Sequence, residues 1–275
     1  MRFAICQELY EDTPWEIQCQ KIAAAGYTGI EVAPFSITDD VASVSPATLS
    51  QMKQTAADHG LEIIGLHWLL AKTEGLYLTS PDAAVRAATS EYLRRLSEIC
   101  AELGGHLMVF GSPQQRSLLP GVSTDDAMKY AADVFSGATA AFEQHGVILC
   151  VEPLTPMETD FLNTCQQAVE LIGMVDHPSM RLHQDVKAML GGESEPIPAV
   201  IEKFKGICSH FHVNDSNLLG PGMGDTDYHP ILSALQSSGY DGWVSVEVFD
   251  YSPGADHIAQ QSIACLKSVL AEINS

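Results

Sequence analysis

His210-Phe211-His212-Val213-Asn214-Asp215-Ser216 places two imidazoles, an amide and a carboxylate within seven residues. Gly206-Ile207-Cys208-Ser209 precedes it and the Gly/Pro-rich Gly220-Pro221-Gly222-Met223-Gly224 follows, so it reads as a short strand running into a loop. Side chains alternate across a strand, which puts His210, His212 and Asn214 on one face and Phe211 and Val213 on the other. One polar and one apolar face suit a barrel or sheet whose inner end is a site. The glycine-rich segment behind the strand reads as a mobile substrate loop, though a plain turn would look the same.

Outward from this stretch, short β-rich runs alternate with helical patterns. The strands expected are Phe3–Cys6, Gly29–Val32, Leu61–Trp68, His106–Phe110, Val147–Glu152, Met180–Asp185, Ile207–Val213 and Trp243–Val248. Between and after them lie helical patterns at Trp15–Ala25, Pro46–His59, 80–103, Thr124–His145, Asn163–Val175, Pro196–Phe204, His229–Ser237 and Asp256–Ile273. Glycines at 26, 60, 104 and 146 stand where helices should end, and Ser80-Pro81-Asp82 is a helix start. Eight strand-then-helix units of about 34 residues, with no linker between them, predict a single-domain (β/α)8 TIM barrel over residues 1–275. A doubly wound open sheet is the alternative. It usually has fewer units and a Gly-rich turn after strand one, where this chain has Cys6-Gln7-Glu8.

The composition narrows the function. The chain has 275 residues, 46% hydrophobic and 18% charged, enough for a large core. Its formal net charge of −21 argues against nucleic acid or an anionic membrane as a partner, because both require a basic surface. The N-terminus reaches acidic residues too soon for a secretory leader and no apolar run approaches a membrane span, so a cytoplasmic protein is expected. The seven cysteines, at 6, 19, 100, 150, 165, 208 and 265, have no paired spacing and are expected to be reduced and buried.

In a barrel of this kind the site lies at the C-terminal strand ends. Strand five ends at Glu152-Pro153, strand six at Asp185, strand seven at His212 and strand eight at Glu247, spaced 33, 27 and 35 residues apart. Any one strand-end carboxylate is most simply a loop cap, but four ligand-type residues on adjacent strands point to a site. Three carboxylates and an imidazole in a low-dielectric mouth would repel one another without a cation. One divalent metal per chain is therefore expected on Glu152, Asp185, His212 and Glu247. The oxygen-rich set favours Mn²⁺, Mg²⁺ or Co²⁺ ahead of Zn²⁺. His210 and His183, each one pleat deeper than a ligand, read as supporting hydrogen-bonding groups, and Asn214 as a support or loop residue.

Glu-Pro at strand five, Asp at strand six, His-x-His-x-Asn-Asp at strand seven and Ser245-Val246-Glu247 at strand eight resemble the xylose isomerase-like TIM-barrel superfamily. That group includes the ketose 3-epimerases, hydroxypyruvate isomerase and endonuclease IV. The resemblance implies that Glu152, Asp185, His212 and Glu247 are metal ligands, that Glu152 and Glu247 exchange protons with the substrate from opposite faces, and that Glu158 matches an acidic residue of the strand-five loop. Two positions depart from the ketose 3-epimerase pattern. Ala188 replaces a histidine three residues after the strand-six aspartate, and Leu218 replaces an arginine six residues after the ligand histidine. Both family residues hold sugar oxygens. His212-Val213-Asn214-Asp215-Ser216 also resembles a segment of endonuclease IV, but Asp227-Tyr228-His229 lacks the aspartate-arginine-histidine form of that enzyme's additional metal pair.

Further substrate-binding candidates close other strands. His67 could donate to a hydroxyl, and Trp68 or Trp15 could stack on a sugar, with core packing as the plainer role for the tryptophans. Arg116, after strand four, could clamp a carboxylate or phosphate or simply pair at the surface. Lys187 could replace the missing histidine as a cation at the mouth. Glu31 closes strand two and could orient either a ligand or a loop, a structural role being the simpler reading. The expectation is a metal-dependent isomerase or epimerase of a sugar or related polyhydroxy-carbonyl compound, acting by proton transfer through a metal-stabilised enediolate. The rivals are a lyase or eliminase on keto-sugar glycosides, an endonuclease IV-like phosphodiesterase and a non-catalytic sugar-binding barrel. The partner is a small sugar-like molecule, and a homo-oligomer stays open.

Overall fold

The computed structural model describes residues 1–38 and 40–275, with only the backbone of Ala42. Eight parallel strands pair in sequence order and close into a barrel: β1 Arg2–Cys6, β2 Gly29–Val32, β3 Glu62–Leu66, β4 Leu107–Phe110, β5 Ile148–Val151, β6 Met180–Asp185, β7 Cys208–Val213 and β8 Trp243–Val246. The expected (β/α)8 barrel is the fold observed, and the open sheet is excluded. Expected strand positions agree, while β3, β5 and β8 stop short of Trp68, Glu152 and Glu247, which begin the loops.

Helices pack around the barrel because the outward strand positions are apolar. Phe211, Val213, Leu182 and Val151 join the continuous core beneath the helices. Two small clusters stand apart, Ala4–Ile64–Trp243 and Leu107–Val109–Cys150. Ala4 lies two residues before Cys6, and Cys150 two before Glu152, so alternation puts these clusters inside the barrel below the polar tips.

The expected helix over residues 124–145 is two, Thr124–Ser136 and Thr139–His145. The break has a packing cause. A Cβ on Gly137 would lie 2.8 Å from Ser90 Oγ, and the Gly137 carbonyl accepts from Arg94 Nε at 2.8 Å. A helix absent from the sequence reading, Val186–Gly192, starts directly after β6, with the Asp185 carboxylate accepting from Ala188 N at 2.7 Å as its cap. All seven cysteines are free. Among the described residues no helix is long and apolar enough to cross a membrane.

Candidate metal centre and substrate mouth

Strand alternation sends Asp185 and His212 into the barrel mouth from paired positions on β6 and β7, and Glu152 and Glu247 follow the ends of β5 and β8. Their ligand atoms all lie within 4.8 Å of one another, and none of the four residues is more than 6% exposed. A single divalent ion, with bonds of about 2.0–2.5 Å, fits such a set after small side-chain rotations. The backbone makes room for it. A Cβ on Gly111 would fall 2.2 Å from Glu152 Oε2, so only glycine after β4 lets that carboxylate pass.

The charges describe a site crowded with negative groups. Burial raises Glu152 well above the usual carboxylate range, and the neighbouring Glu247 and Asp185 add to it. Burial, with Glu247, brings Asp185 up to about 6 despite Lys187. Burial also opposes the charge on Glu247, but His212 holds it below its ordinary value through a 3.1 Å contact from Nδ1 to Oε2. His212 itself is raised well above its ordinary value, Glu31, Cys6 and Glu247 outweighing its burial. A cation here would replace protons that the carboxylates otherwise share.

The opposite side of His212 is equally organised. Nε2 lies 3.1 Å from Glu31 Oε2, which also receives His210 Nε2 at 2.8 Å. Glu31 is fully buried, and His210 and His212 hold it well below its ordinary pKa against the cost of burial. It thus fixes one imidazole nitrogen and leaves Nδ1 toward the carboxylates, the arrangement by which carboxylates orient metal-binding histidines. Of the two roles the sequence leaves open for Glu31, orienting a ligand candidate or a loop, the structure shows contact with the candidate ligand His212. Asn214 Nδ2 donates to Asp185 Oδ2 at 2.5 Å and its Oδ1 accepts from Lys187 N at 2.8 Å, tying β6 to β7 at the mouth. His183 is fully buried, with Nε2 3.8 Å from Glu152 Oε1, and among the described residues neither ring nitrogen has a hydrogen-bond partner; burial and the adjacent His212 and His210 hold its pKa well below the ordinary value.

The mouth is lined by His67, Trp68, Glu152, Glu158, Glu247 and Phe249, among others. Lys187 Nζ pairs with Glu158 Oε1 at 2.7 Å and sits 3.8 Å from the Phe249 ring centroid. His67 Nε2 lies 2.7 Å from Glu8 Oε2, and among the described residues Nδ1 has no hydrogen-bond partner. Ala188, at the position of the family histidine, is buried, and its N–H caps onto Asp185. The Leu218 side chain is 42% exposed, while its carbonyl anchors the Phe249 and Asp250 N–H groups.

Two expectations need correction. Arg116 is not a clamp at the mouth: it is fully buried, and its Nε, Nη1 and Nη2 donate to the carbonyls of Gly111, Glu152, Phe161 and Leu162. Burial lowers it to about 10, which leaves it charged at neutral pH with its donors committed to backbone. The 220–224 segment is packed away from the mouth, Gly220 against Ser262, Gly222 against Cys265 and Gly224 against the Asp215 carboxylate. Trp15 takes the plainer of its two expected roles, packing against the core in the helix layer and donating to Met52 O at 3.0 Å.

The sequence singles out neither Cys6 nor Glu8, and leaves Glu31 between orienting a ligand and serving a loop. Cys6, Glu8 and His67 form a second buried cluster that shares Glu247. Cys6 is paired in register with Glu31 across β1 and β2, and the available sequence signal was that both close strands at the ligand level. Asp227 and His229 serve a helix start, Asp227 Oδ1 accepting from His229 N at 3.0 Å, and both are exposed.

A profile of the xylose isomerase-like TIM barrel matches residues 19–269. The chain is 29% identical over 232 residues to the D-psicose 3-epimerase of Agrobacterium fabrum, covering 84% of this chain and 78% of that protein. It is 28% identical over 246 residues to the ketose 3-epimerase of Arthrobacter globiformis, covering 88% and 80%. The crystal structure of a D-psicose 3-epimerase in the presence of D-fructose shares the fold with a TM-score of 0.87 at 24% identity, over 98% of this chain and 99% of the other. With the barrel closed in sequence order and the profile spanning nearly all of it, the chain belongs to the xylose isomerase-like TIM-barrel family.

Proposed function

We propose that this protein is a divalent-metal-dependent isomerase or epimerase of a ketose or a related polyhydroxy-carbonyl compound. The observation that carries the reading is the convergence of Glu152, Asp185, His212 and Glu247 on one spot at the mouth. Similarity to two proteins described as ketose epimerases supports the substrate class.

The oxygen-rich donor set suits Mn²⁺, Mg²⁺ or Co²⁺, and such an ion would supply the positive charge that polarises a substrate carbonyl and acidifies the adjacent C–H. The protein's own groups do the rest. Glu152 and Glu247 follow β5 and β8, with β6 and β7 between them, a placement that would let their carboxylates flank a bound sugar. One takes the proton from the carbon beside the carbonyl onto a carboxylate oxygen, and the other returns a proton to the carbon skeleton. General acid–base help of this kind contributes about 10²–10⁴-fold, so charge stabilisation must supply the larger share. The Glu158–Lys187 pair and His67 offer donors and acceptors to hydroxyls, while Trp68 and Phe249 line the mouth with aromatic surface.

The test is ketose turnover by the metal-supplied protein and by its Glu152→Gln and Glu247→Gln variants. Interconversion of D-fructose or D-tagatose with its 3-epimer, removed by chelation and by either substitution, is the expected result. Activity that survives both substitutions would overturn the assignment of the two carboxylates.

A further inference from the structure

Beside the mouth lies a second concavity, of about 250 Å³, which shares Trp68 and Pro113 with it. It is framed by Glu8 after β1, Phe35 after β2, Trp68 and Lys72 after β3, Gln115 after β4 and Tyr251 after β8. The groove is therefore built on the same C-terminal face as the metal ligands, from the neighbouring part of the ring of strands.

Its walls have a definite chemistry. Tyr251 is 44% exposed, and Phe35 and Trp68 are half-buried, so aromatic surface faces open space. The charged groups at its edge are already matched. Glu8 lies 2.7 Å from His67, and Lys72 pairs with Glu11 at 2.7 Å while sitting 3.9 Å from the Phe35 ring centroid. Gln114 and Gln115 add uncharged amides. The backbone is held in uncommon geometry around it: Trp68, Lys72 and Ser112 have φ of 54°, 60° and 32°. Leu70 N donates to Ser112 Oγ at 3.0 Å and joins the two loops. Non-glycine residues rarely adopt this region and persist there where the surroundings hold them, often at ligand sites.

We propose that this groove is a subsite for a second sugar ring, carried as a glycosidic substituent on the ketose held at the mouth. The ligand class is then a ketose-containing disaccharide or a keto-glycoside. A pyranose offers a C–H face to aromatic rings and hydroxyls to amides. A cationic substituent would gain little, because the groove's carboxylates have partners. The proposal rests on the sugar reading of the mouth.

Calorimetric binding of D-fructose, isomaltulose and lactulose to the Mn²⁺-supplied protein tests it. At least one disaccharide should bind about tenfold more tightly than D-fructose, a difference of about 1.4 kcal/mol. Tyr251→Ala and Phe35→Ala should each reduce that advantage while leaving D-fructose affinity unchanged. Equal affinities for all three sugars, or an advantage indifferent to both variants, would overturn the subsite. So would tighter binding of fructose carrying an alkylamine substituent. Exchange at carbon on D-fructose with no disaccharide preference would sink the subsite alone, whereas the absence of exchange on every ketose would bring down the reading of the mouth as well.

Discussion

Replacing Glu31 with glutamine separates orientation from ligation at the metal centre. Glu31 stands outside the Glu152, Asp185, His212 and Glu247 set, although with Cys6 and His212 it forms a neighbouring group of ligand type, and its Oε2 receives both His210 and His212, at 2.8 and 3.1 Å, in a fully buried setting. Glutamine can keep an acceptor oxygen there but removes the charge. Each charge-assisted bond, worth about 1.5–3 kcal/mol, falls toward the 0.5–1.5 kcal/mol of a neutral one, so about 1–3 kcal/mol of stability should be lost in total. His212 also loses the group that directs its Nδ1 to the carboxylates. Removing such support typically lowers metal affinity about 10–100-fold, or about 1.4–2.7 kcal/mol. Mn²⁺ titration by calorimetry near neutral pH, paired with urea unfolding, reads both quantities. A folded Glu31→Gln protein with wild-type metal affinity would refute the role given to Glu31.

Other consequences can be measured independently. Asp185 sits at about 6 and Glu152 well above the ordinary range, so the metal-free site retains protons that an ion must displace. Metal affinity should therefore rise with pH through about 6 with proton release, read by titration in buffers of different ionisation enthalpy; a flat profile would contradict this. Folding stability carries the same sign. Because the folded-state pKa of Asp185 is raised, its metal-free contribution falls as pH rises from the unfolded value toward 6, so the thermal shift on adding metal should be larger at neutral than at acidic pH. Arg116→Met should cost about 3–5 kcal/mol in urea unfolding, because it strands four buried carbonyls. A raised KM with unchanged stability would instead restore the substrate-clamp role. Gly111→Ala should displace the Glu152 carboxylate and weaken metal binding more than folding.

Much of this architecture could be read from the chain because two periodicities carry it. Alternation on β7 separates His210 and His212 from Phe211 and Val213, and the regular unit length brings Glu152, Asp185, His212 and Glu247 to one level. What escaped depends on contacts distant in sequence. Glu31 meets His210 across 179 residues, and nothing in Gly29-Ile30-Glu31-Val32 announces a histidine partner. Register shifts at Ile30/Glu31 and Leu182/His183, just below two site carboxylates, are likewise tertiary features. Arg116 misled because a cation after a strand looks the same whether it faces a ligand or props up a neighbouring loop. Only the fold of residues 159–163 over the β4 loop settles which carbonyls it meets. Asp185 has two duties in one position, candidate ligand and helix cap, so the helix that follows was concealed behind the site reading.

The central claim is that Glu152 and Glu247 move a carbon-bound proton of a ketose with the help of a divalent ion at the mouth. Incubation of the Mn²⁺-supplied protein with D-fructose, D-psicose and D-tagatose in D₂O, followed by NMR of the recovered sugars, tests it directly. The account predicts deuterium on the carbon next to the carbonyl of at least one ketose, abolished by chelation and by Glu152→Gln or Glu247→Gln. Sugars recovered without deuterium, or labelled equally by the chelated protein, would contradict it.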